Sequence, residues 1–334
     1  MMQHSLKMEE IRFGYWPRKI ELRTRRAVIR AVGNYDDIVE SMEQNERVLN
    51  GWLYPPLTVE GERGTSPERR TVIYERKYRV DSTHCLSLPR TSSSRTLGEF
   101  LIALLGMLEG LRLVPEGWFH FYRAAVKRHS LSDIDCDHKD LEGVLAAAQG
   151  FWKRASREVR SLMFGAVHRR MLSESYEHEF ERFSGQYIVL DTCWKIAGLL
   201  DPHWLQRYVH SGKIPKWTQR LAGRRRTPRP GHALRPALLA KQYRMRIPSW
   251  ARIRNGGSCR VAELRNRLIH EGRYGEKPIG FGYPKDMKGS IDFQLAAFNT
   301  RLIVAILGVT CGYVRTSCET HCPFALDLKR KKAA

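Results

Sequence analysis

Apolar and polar positions alternate along the first part of the chain. Residues 19–23 and 26–30 alternate with a period of two, which predicts two short strands. Residues 36–49 have the spacing of a short helix. Residues 71–74 then begin a run rich in β-branched and aromatic side chains, which is typical of a strand. Residues 1–90 are therefore predicted to form a small, β-rich domain of mixed α/β type.

From residue 96 onward the apolar positions recur at helical spacing. Residues 100–113 are nearly all apolar, which predicts a buried helix. Further amphipathic stretches follow at residues 140–170, 180–200 and 292–311. A serine-rich linker at residues 90–95 separates the two parts. The predicted fold class is thus α+β, with an all-helical part over residues 91–334.

The helical pattern is interrupted by an Arg- and Pro-rich segment at residues 213–254. Arginines can bind phosphates and aromatic rings can stack on unpaired bases, so this insertion is a predicted RNA-binding segment. An equally weighted interpretation is a solvated basic loop whose rings only attach it to the bundle. The predicted RNA contacts are Arg224, Arg225, Arg226, Arg229, Arg244, Arg246, Trp250, Arg252 and Arg254.

The charge of the whole chain also favours nucleic acid. The 334 residues include 57 Lys and Arg against 35 Asp and Glu, which leaves a net charge of +22. Such a field attracts polyanions, although an Arg-rich composition without any specific RNA site is the alternative. The first residues lack an apolar signal segment, and the longest apolar run is too short to span a membrane. Seven scattered Cys residues fit a reducing compartment, so a cytoplasmic protein is expected.

The most informative stretch lies at residues 259–271, which are predicted to form a helix between Ser258 as N-cap and Gly272 as C-terminal stop. An apolar stripe of Val261, Leu264 and Leu268 would anchor this helix to the core. The opposite face carries Arg265, Asn266 and His270. These side chains offer a cation, a hydrogen-bonding amide and a proton carrier, which suits cleavage of an RNA phosphodiester. The competing interpretation is a solvated surface helix.

This motif resembles the Arg-Asn-x3-His signature of HEPN domains (higher eukaryotes and prokaryotes nucleotide-binding), many of which are ribonucleases. Residues 264–272 are similar to the core motif of the ApeA-type HEPN branch, and residues 183–191 look like its early helix with an acidic residue. Residues 246–250 and 299–308 resemble its pre-motif loop and closing helix. The insertion departs from the family pattern, and residues 1–90 match no family that we can name.

The resemblance implies that residues 91–334 form an antiparallel helical bundle. It also implies a metal-independent endoribonuclease without a cofactor. Its catalytic residues would be Arg265, Asn266 and His270. The 2′-hydroxyl of the RNA would attack the phosphorus, leaving a 2′,3′-cyclic phosphate and a 5′-hydroxyl. Asp191 is a predicted partner of Arg265, because a buried carboxylate needs pairing. The expected substrate is tRNA or single-stranded RNA.

The family also implies a role and partners. Two protomers would place their motifs across a shared cleft, so a homodimer is expected. A stripe of Cys259, Ala262 and Ile269 would either form the dimer seam or, equally, pack inside one chain. The chain would act as an antiviral or toxin effector controlled by an activator or antitoxin protein. Residues 1–90, outside the resemblance, are expected to be a sensor or regulatory domain. One alternative is a catalytically silent RNA-binding or protein-interaction module on the same fold. Another is a DNA-binding regulator, which the lack of a helix-turn-helix pattern argues against.

A metal site near the C-terminus is a further hypothesis. Cys311, Cys318, His321 and Cys322 are all zinc-type ligands. Their spacing lacks paired ligand steps, and adjacent His321 and Cys322 suit one tetrahedral ion poorly. No metal is therefore expected. Phosphate-binding glycine loops and a serine-nucleophile elbow are also lacking in the sequence, which disfavours nucleotide-driven and serine-hydrolase functions.

Overall fold

The structure is a computed structural model that describes residues 7–56, 77–128, 132–210, 231–254, 257–279, 290–320 and 322–328. The chain divides into two compact units. Unit 1 comprises residues 1–132 and 137–146, and unit 2 comprises residues 133–136 and 147–334. Strands concentrate in unit 1 and helices in unit 2, which confirms the α+β fold class. The predicted boundary near residue 90 falls inside unit 1.

Unit 1 contains a five-stranded sheet and a three-stranded sheet. Its strands are β1 (Met8–Gly14), β2 (Leu22–Arg23), β3 (Val28–Ala31), β4 (Val48–Leu49), β5 (Trp52–Leu53), β6 (His84–Pro89), β7 (Val114–Pro115) and β8 (Ala124–Ala125). The larger sheet has the order β2-β3-β6-β1-β7, and the smaller has the order β4-β5-β8. Each of these pairings is antiparallel. The two predicted strands at residues 19–23 and 26–30 are confirmed as the β2–β3 hairpin.

Two helices of the described residues lie wholly in unit 1, and the first half of α3 (His138–Arg154) also belongs to it. Helix α1 (Tyr35–Glu43) is shorter than predicted, because the chain turns after it to form β4. Helix α2 (Ser94–Glu109) contains most of the predicted buried helix and ends at Gly110, whose left-handed φ of 68° stops it. The helix packs on β1, β6 and β7, which is why unit 1 extends beyond residue 90. The strand predicted at residues 71–74 lies outside the described residues.

The remaining helices confirm the helical character of the second part. They are α3 (His138–Arg154), α4 (Arg157–Glu174), α5 (Glu179–Leu200), α6 (Trp204–His210), α7 (Arg235–Gln242), α8 (Arg260–Glu271) and α9 (Ile291–Ile306). The amphipathic stretch predicted at residues 140–170 is helical and is divided between α3 and α4. Ser156 starts the second of these, because its hydroxyl accepts a hydrogen bond from the Val159 amide at 3.3 Å.

Helices α4, α5 and α9 pack together as the centre of unit 2. Buried polar contacts fix their register. The Arg182 guanidinium donates to Asp292 at 2.7 Å, and the Asn299 amide donates to the Gln186 carbonyl at 2.8 Å. Buried polar groups are costly unless they are paired in this way, so these contacts disfavour other arrangements of the three helices.

Small strands accompany the helices of unit 2. Strand β9 (Ile134–Asp135) pairs in parallel with β12 (Phe324–Ala325), and β10 (Arg273–Tyr274) forms a hairpin with β11 (Lys277–Pro278). The second part is therefore mainly, rather than entirely, helical. Among the described residues, no helix combines the length and apolar character needed to cross a membrane.

Candidate active site

The predicted motif helix is α8. It begins one residue later than expected, because Cys259 rather than Ser258 occupies the N-cap position, and its side chain makes no capping hydrogen bond. The C-terminal prediction is confirmed: Gly272 follows the helix with a left-handed φ of 62°. A residue without a Cβ atom adopts that conformation at little cost.

The apolar side of α8 attaches the helix to unit 2. Val261 is fully buried, and Leu264 and Leu268 are half-buried, so the predicted anchoring stripe is confirmed. The neighbouring stripe predicted as a dimer seam is wrong in two of its three members. Cys259 and Ala262 are buried within the chain, whereas Ile269 is 58% exposed. Of these three residues, only Ile269 is thus available to a partner.

Arg267 secures the segment that follows α8. Its guanidinium donates to the Gly275 carbonyl at 3.2 Å and pairs with Glu276, in the turn of the β10–β11 hairpin. Tyr274 in the same hairpin packs against Phe183 of α5, with ring centroids 5.5 Å apart. The contacts of Arg267 with the hairpin, and of the hairpin with α5, therefore hold the end of α8 that carries His270.

The three predicted catalytic side chains converge. The Arg265 Nη1 atom donates to the Asn266 Oδ1 atom at 3.0 Å and faces the His270 Nε2 atom at 3.5 Å. Asn266 and His270 are exposed and Arg265 is half-buried, so the group is accessible to solvent. The Nε2 atom of an imidazole can accept a hydrogen bond from a guanidinium when that nitrogen carries no proton. The motif thus brings together a cation, an amide and an imidazole.

Asp191 does not pair with Arg265, and that prediction is wrong. Its carboxylate accepts a hydrogen bond from the Arg235 guanidinium at 2.7 Å and lies 3.8 Å from the His232 Nδ1 atom. The same nitrogen of His232 lies 2.9 Å from the Tyr187 hydroxyl. Asp191 and Tyr187 come from α5, Arg235 begins α7, and His232 belongs to the 3-10 turn His232–Leu234, which packs on α8. We call these four residues the support cluster.

The support cluster is electrostatically linked to the motif. Burial and the Arg235 charge lower the pKa of His232, with a smaller lowering by Arg265, while the Asp191 carboxylate acts in the opposite direction. Burial also raises the pKa of the Tyr187 hydroxyl, so this group remains protonated and able to donate. The Arg265 charge therefore acts on the support cluster even though Arg235 occupies the carboxylate.

Sequence reasoning missed His232. It is separated from Tyr187 by 45 positions and follows the Arg/Pro-rich run, so neither spacing nor helical periodicity indicated it. The only available signal was Asp191, an acidic residue within an apolar helix that requires a partner when it is buried.

The prediction that Trp250 contacts RNA is wrong. Trp250 is only 3% exposed and packs edge-to-face on Phe298 of α9, with ring centroids 5.4 Å apart. A ring buried in this way cannot stack on a base. For this residue the alternative interpretation was right, since the aromatic side chain attaches the segment to the bundle.

The arginines of the predicted insertion divide into three groups. Arg244, Arg246 and Arg252 are exposed, which leaves their predicted role open. Arg254 is also exposed but pairs with Glu263 of α8 at 3.7 Å. Arg224, Arg225, Arg226 and Arg229 lie outside the described residues. From residue 231 the segment folds into α7 and buries Leu234, Leu238 and Leu239, so its second half belongs to the bundle.

The cysteines offer little for a metal. Cys311 and Cys318 are buried and Cys322 is exposed, while His321 lies outside the described residues. Within the described part of the chain, no group of three or more His, Cys, Asp or Glu side chains has the arrangement of a metal site. Burial raises the pKa of the Cys318 thiol to about 12, which disfavours the thiolate form that metals bind.

Comparison of the chain with family models, with curated proteins and with solved structures yielded no match. The HEPN resemblance therefore depends on the motif at residues 264–272 and on the flanking stretches that resemble the family.

Proposed function

We propose that the chain is a metal-independent endoribonuclease whose catalytic residues are Arg265, Asn266 and His270. The observation that carries the proposal is the convergence of these side chains on the accessible C-terminal half of α8. Helical spacing alone puts Asn266 and His270 on one face, but the Arg265 side chain contacts both of them instead of extending into solvent. The contacts of Arg267 and Tyr274 hold this end of the helix in place.

Each side chain has a defined role in this proposal. His270 removes the proton from the 2′-hydroxyl of the RNA or delivers one to the leaving 5′-oxygen, since imidazole titrates near neutral pH. Arg265 stabilises the negative charge that accumulates on the phosphoryl oxygens. Asn266 orients the phosphate or the Arg265 fork through its amide. The products are a 2′,3′-cyclic phosphate and a 5′-hydroxyl, and DNA resists cleavage because it lacks the attacking hydroxyl.

The test is cleavage of total tRNA and of a single-stranded RNA in the presence of EDTA. His270→Ala should reduce the rate by at least about a hundredfold, the usual contribution of a positioned general acid or base. His203→Ala is the matched control, since this exposed histidine of unit 2 only contacts Gln206 at 3.3 Å. Equal cleavage by wild type and His270→Ala would refute the proposal.

The alternative function is a catalytically silent RNA-binding module. It shares the accessible Arg265 with the proposed enzyme but requires no proton transfer. If neither wild type nor variants cleave RNA, while Arg265→Ala weakens RNA binding and His270→Ala does not, the binding module is the better description.

A homodimer is part of the proposal, since cleavage needs both a base and an acid and two copies of the motif would supply both. The exposed Ile269 beside His270 is the side chain most suited to such a contact. Sedimentation of the wild-type chain should show twice the mass of Ile269→Glu. A monomeric wild type that cleaves RNA would contradict this part.

We also propose, from the family resemblance, that cleavage serves antiviral defence or growth arrest under the control of an activator or antitoxin. Expression in bacterial cells should then stop growth for the wild type and not for His270→Ala.

A further inference from the structure

Unit 1 carries an exposed surface in which aromatic rings and cations alternate. Residues 77–79 and 119–121 pair as two short antiparallel segments, because Tyr78 and His120 exchange both backbone hydrogen bonds, at 3.0 and 2.9 Å. Side chains alternate between the two faces of such a ladder. Tyr78 and His120 point inward, while Lys77, Arg79, Phe119 and Phe121 point outward. We call these four outward residues, with the adjacent Tyr122, the ring–cation surface.

The inward side gives the surface a rigid base. The rings of Tyr78 and His120 are stacked at 5.2 Å, and the Tyr78 hydroxyl donates to the carbonyls of Leu53 and Tyr122. Tyr78 also joins a buried cluster with Tyr15, Met42, Leu53, Ala124 and Val126. The outward residues are therefore presented by a packed core rather than by a loose loop.

The outward side chains are unusual for a solvated face. Phe119, Phe121 and Tyr122 are 38%, 58% and 47% exposed, which leaves three adjacent rings in contact with water. The Arg79 guanidinium lies 4.5 Å from the centre of the Phe119 ring, and the Lys77 ammonium lies 5.5 Å from it. Nearby, Arg123 stacks on Trp52 at 4.2 Å. Exposed large apolar groups of this kind mark interaction sites more often than isolated surface residues do.

We infer that the ring–cation surface binds single-stranded nucleic acid, with unpaired bases stacking on the Phe119 and Phe121 rings and Lys77 and Arg79 contacting the phosphates. Exposed rings beside cations are the combination that non-specific single-strand binding uses, since every base has a π face and every linkage a negative charge. A net charge of +22 favours a polyanion over other ligands. This surface lies wholly in unit 1, does not depend on Arg265 or His270, and goes beyond the proposed cleavage.

The test is fluorescence anisotropy with a labelled single-stranded RNA of about ten nucleotides. The full-length chain is used with His270→Ala in every variant, so that cleavage cannot interfere. Phe119→Leu/Phe121→Leu keeps the apolar bulk and removes the rings, and it should raise Kd about tenfold. Phe119→Tyr/Phe121→Tyr keeps the rings and should bind like the parent. Met8→Ala, which removes an exposed apolar side chain from strand β1 of the five-stranded sheet, is the matched control.

Charge is tested separately from stacking. Arg79→Ala should weaken binding and reduce the salt dependence of log K by about one ion, as expected for the loss of one phosphate contact. A duplex of the same sequence should bind more weakly and respond little to the Leu substitutions. RNA containing 5-iodouridine should form photochemical crosslinks to Phe119, Phe121 or Tyr122, which mass spectrometry can map without any substitution.

Several results would overturn the inference. These are an unchanged Kd for the Leu double variant, an equal loss with the Tyr variant, or crosslinks confined to other residues. Tighter binding of the surface to anionic phosphatidylserine vesicles than to RNA would assign it to a membrane instead. The two proposals can fail separately. If RNA cleavage depends on His270 but the Leu double variant binds RNA like its parent, this inference is refuted and the proposed ribonuclease is not.

Discussion

At the scale of single residues, the candidate site consists of an exposed motif and a less exposed set of partners. Arg265 contacts Asn266 and His270, whereas Arg235 neutralises Asp191 and leaves Arg265 free of that carboxylate. If Arg265 were paired with the Asp191 carboxylate, it would have less charge to offer to a phosphate. Asp191 pairs with Arg235 and not with Arg265, which is thus compatible with a catalytic Arg265.

The pKa of His232 reports on the charges of Arg235 and Asp191 beside its imidazole. The Arg235 charge lowers the pKa of His232 and the Asp191 carboxylate raises it. Arg235→Ala should therefore raise the pKa of His232, while Asp191→Asn should lower it. NMR titration of the imidazole signals would record both shifts, and the signals of His203 serve as the control outside the cluster. Shifts in the same direction for both variants would contradict the arrangement.

At the scale of elements, the packing of unit 2 depends on a close approach of α4 and α5. A Cβ atom added to Gly185 would lie 2.0 Å from the Ser173 Oγ atom and 2.8 Å from its Cβ atom. The second of these atoms is attached directly to the helix backbone, so it cannot move out of the way by rotation of the side chain. Glycine at this position therefore sets the distance between the two helices.

Gly185→Ala should destabilise unit 2 by about 1–3 kcal/mol, the usual cost of overpacking a tight contact. Gly198→Ala in the same helix is the matched control, because an added Cβ atom there meets nothing within 4 Å. That control should be neutral or stabilising by up to about 1 kcal/mol, since Ala is the better helix former. Denaturant unfolding measures both, and equal stabilities of the two variants would be inconsistent with the proposed contact.

At the scale of the whole molecule, acid should affect the two units in opposite directions. In unit 1, burial lowers the pKa of His84 to about 4 and that of His120 to about 3. In unit 2, burial raises the pKa values of the Glu174 and Asp292 carboxyls. Buried neutral histidines resist protonation, whereas buried carboxylates favour it.

Acid lowers the free energy of unfolding where the unfolded chain binds protons more tightly, and raises it where the folded chain does. Between about pH 6.5 and 4 the unfolded chain protonates His84 and the folded chain does not, so the free energy of unfolding of unit 1 falls. For His84 this difference in pKa between the unfolded and folded states lowers the free energy of unfolding by about 3 kcal/mol. The buried carboxyls of unit 2 take up protons in the folded state first, which increases its stability as the pH falls through their raised pKa values. Acidification should thus unfold unit 1 before unit 2.

Scanning calorimetry at pH 7 and pH 5 tests this expectation. The melting temperature of unit 1 should fall with the pH, and it should fall less in His84→Phe, because the unfolded chain then has one proton fewer to take up. His84 is fully buried among the rings of Phe13, Trp16 and Tyr35, so Phe is the substitution closest in shape. An equal fall in both proteins would exclude His84 as the cause.

Features set by neighbours along the chain could be predicted from the sequence. The α+β class, the β2–β3 hairpin, the ends of α5 and the C-terminal stop of α8 at Gly272 depend on local periodicity and on backbone preferences. The shared face of Asn266 and His270 is local in the same sense, since residues four positions apart on a helix are neighbours. The contacts of Arg265 with both residues depend in addition on the conformation of its long side chain. The Arg235–Asp191 pair, the role of His232, the burial of Trp250 and the extent of unit 1 join residues far apart in sequence. Such contacts depend on how the helices and strands pack, and no local pattern in the chain encodes which distant side chain a buried carboxylate or ring will meet.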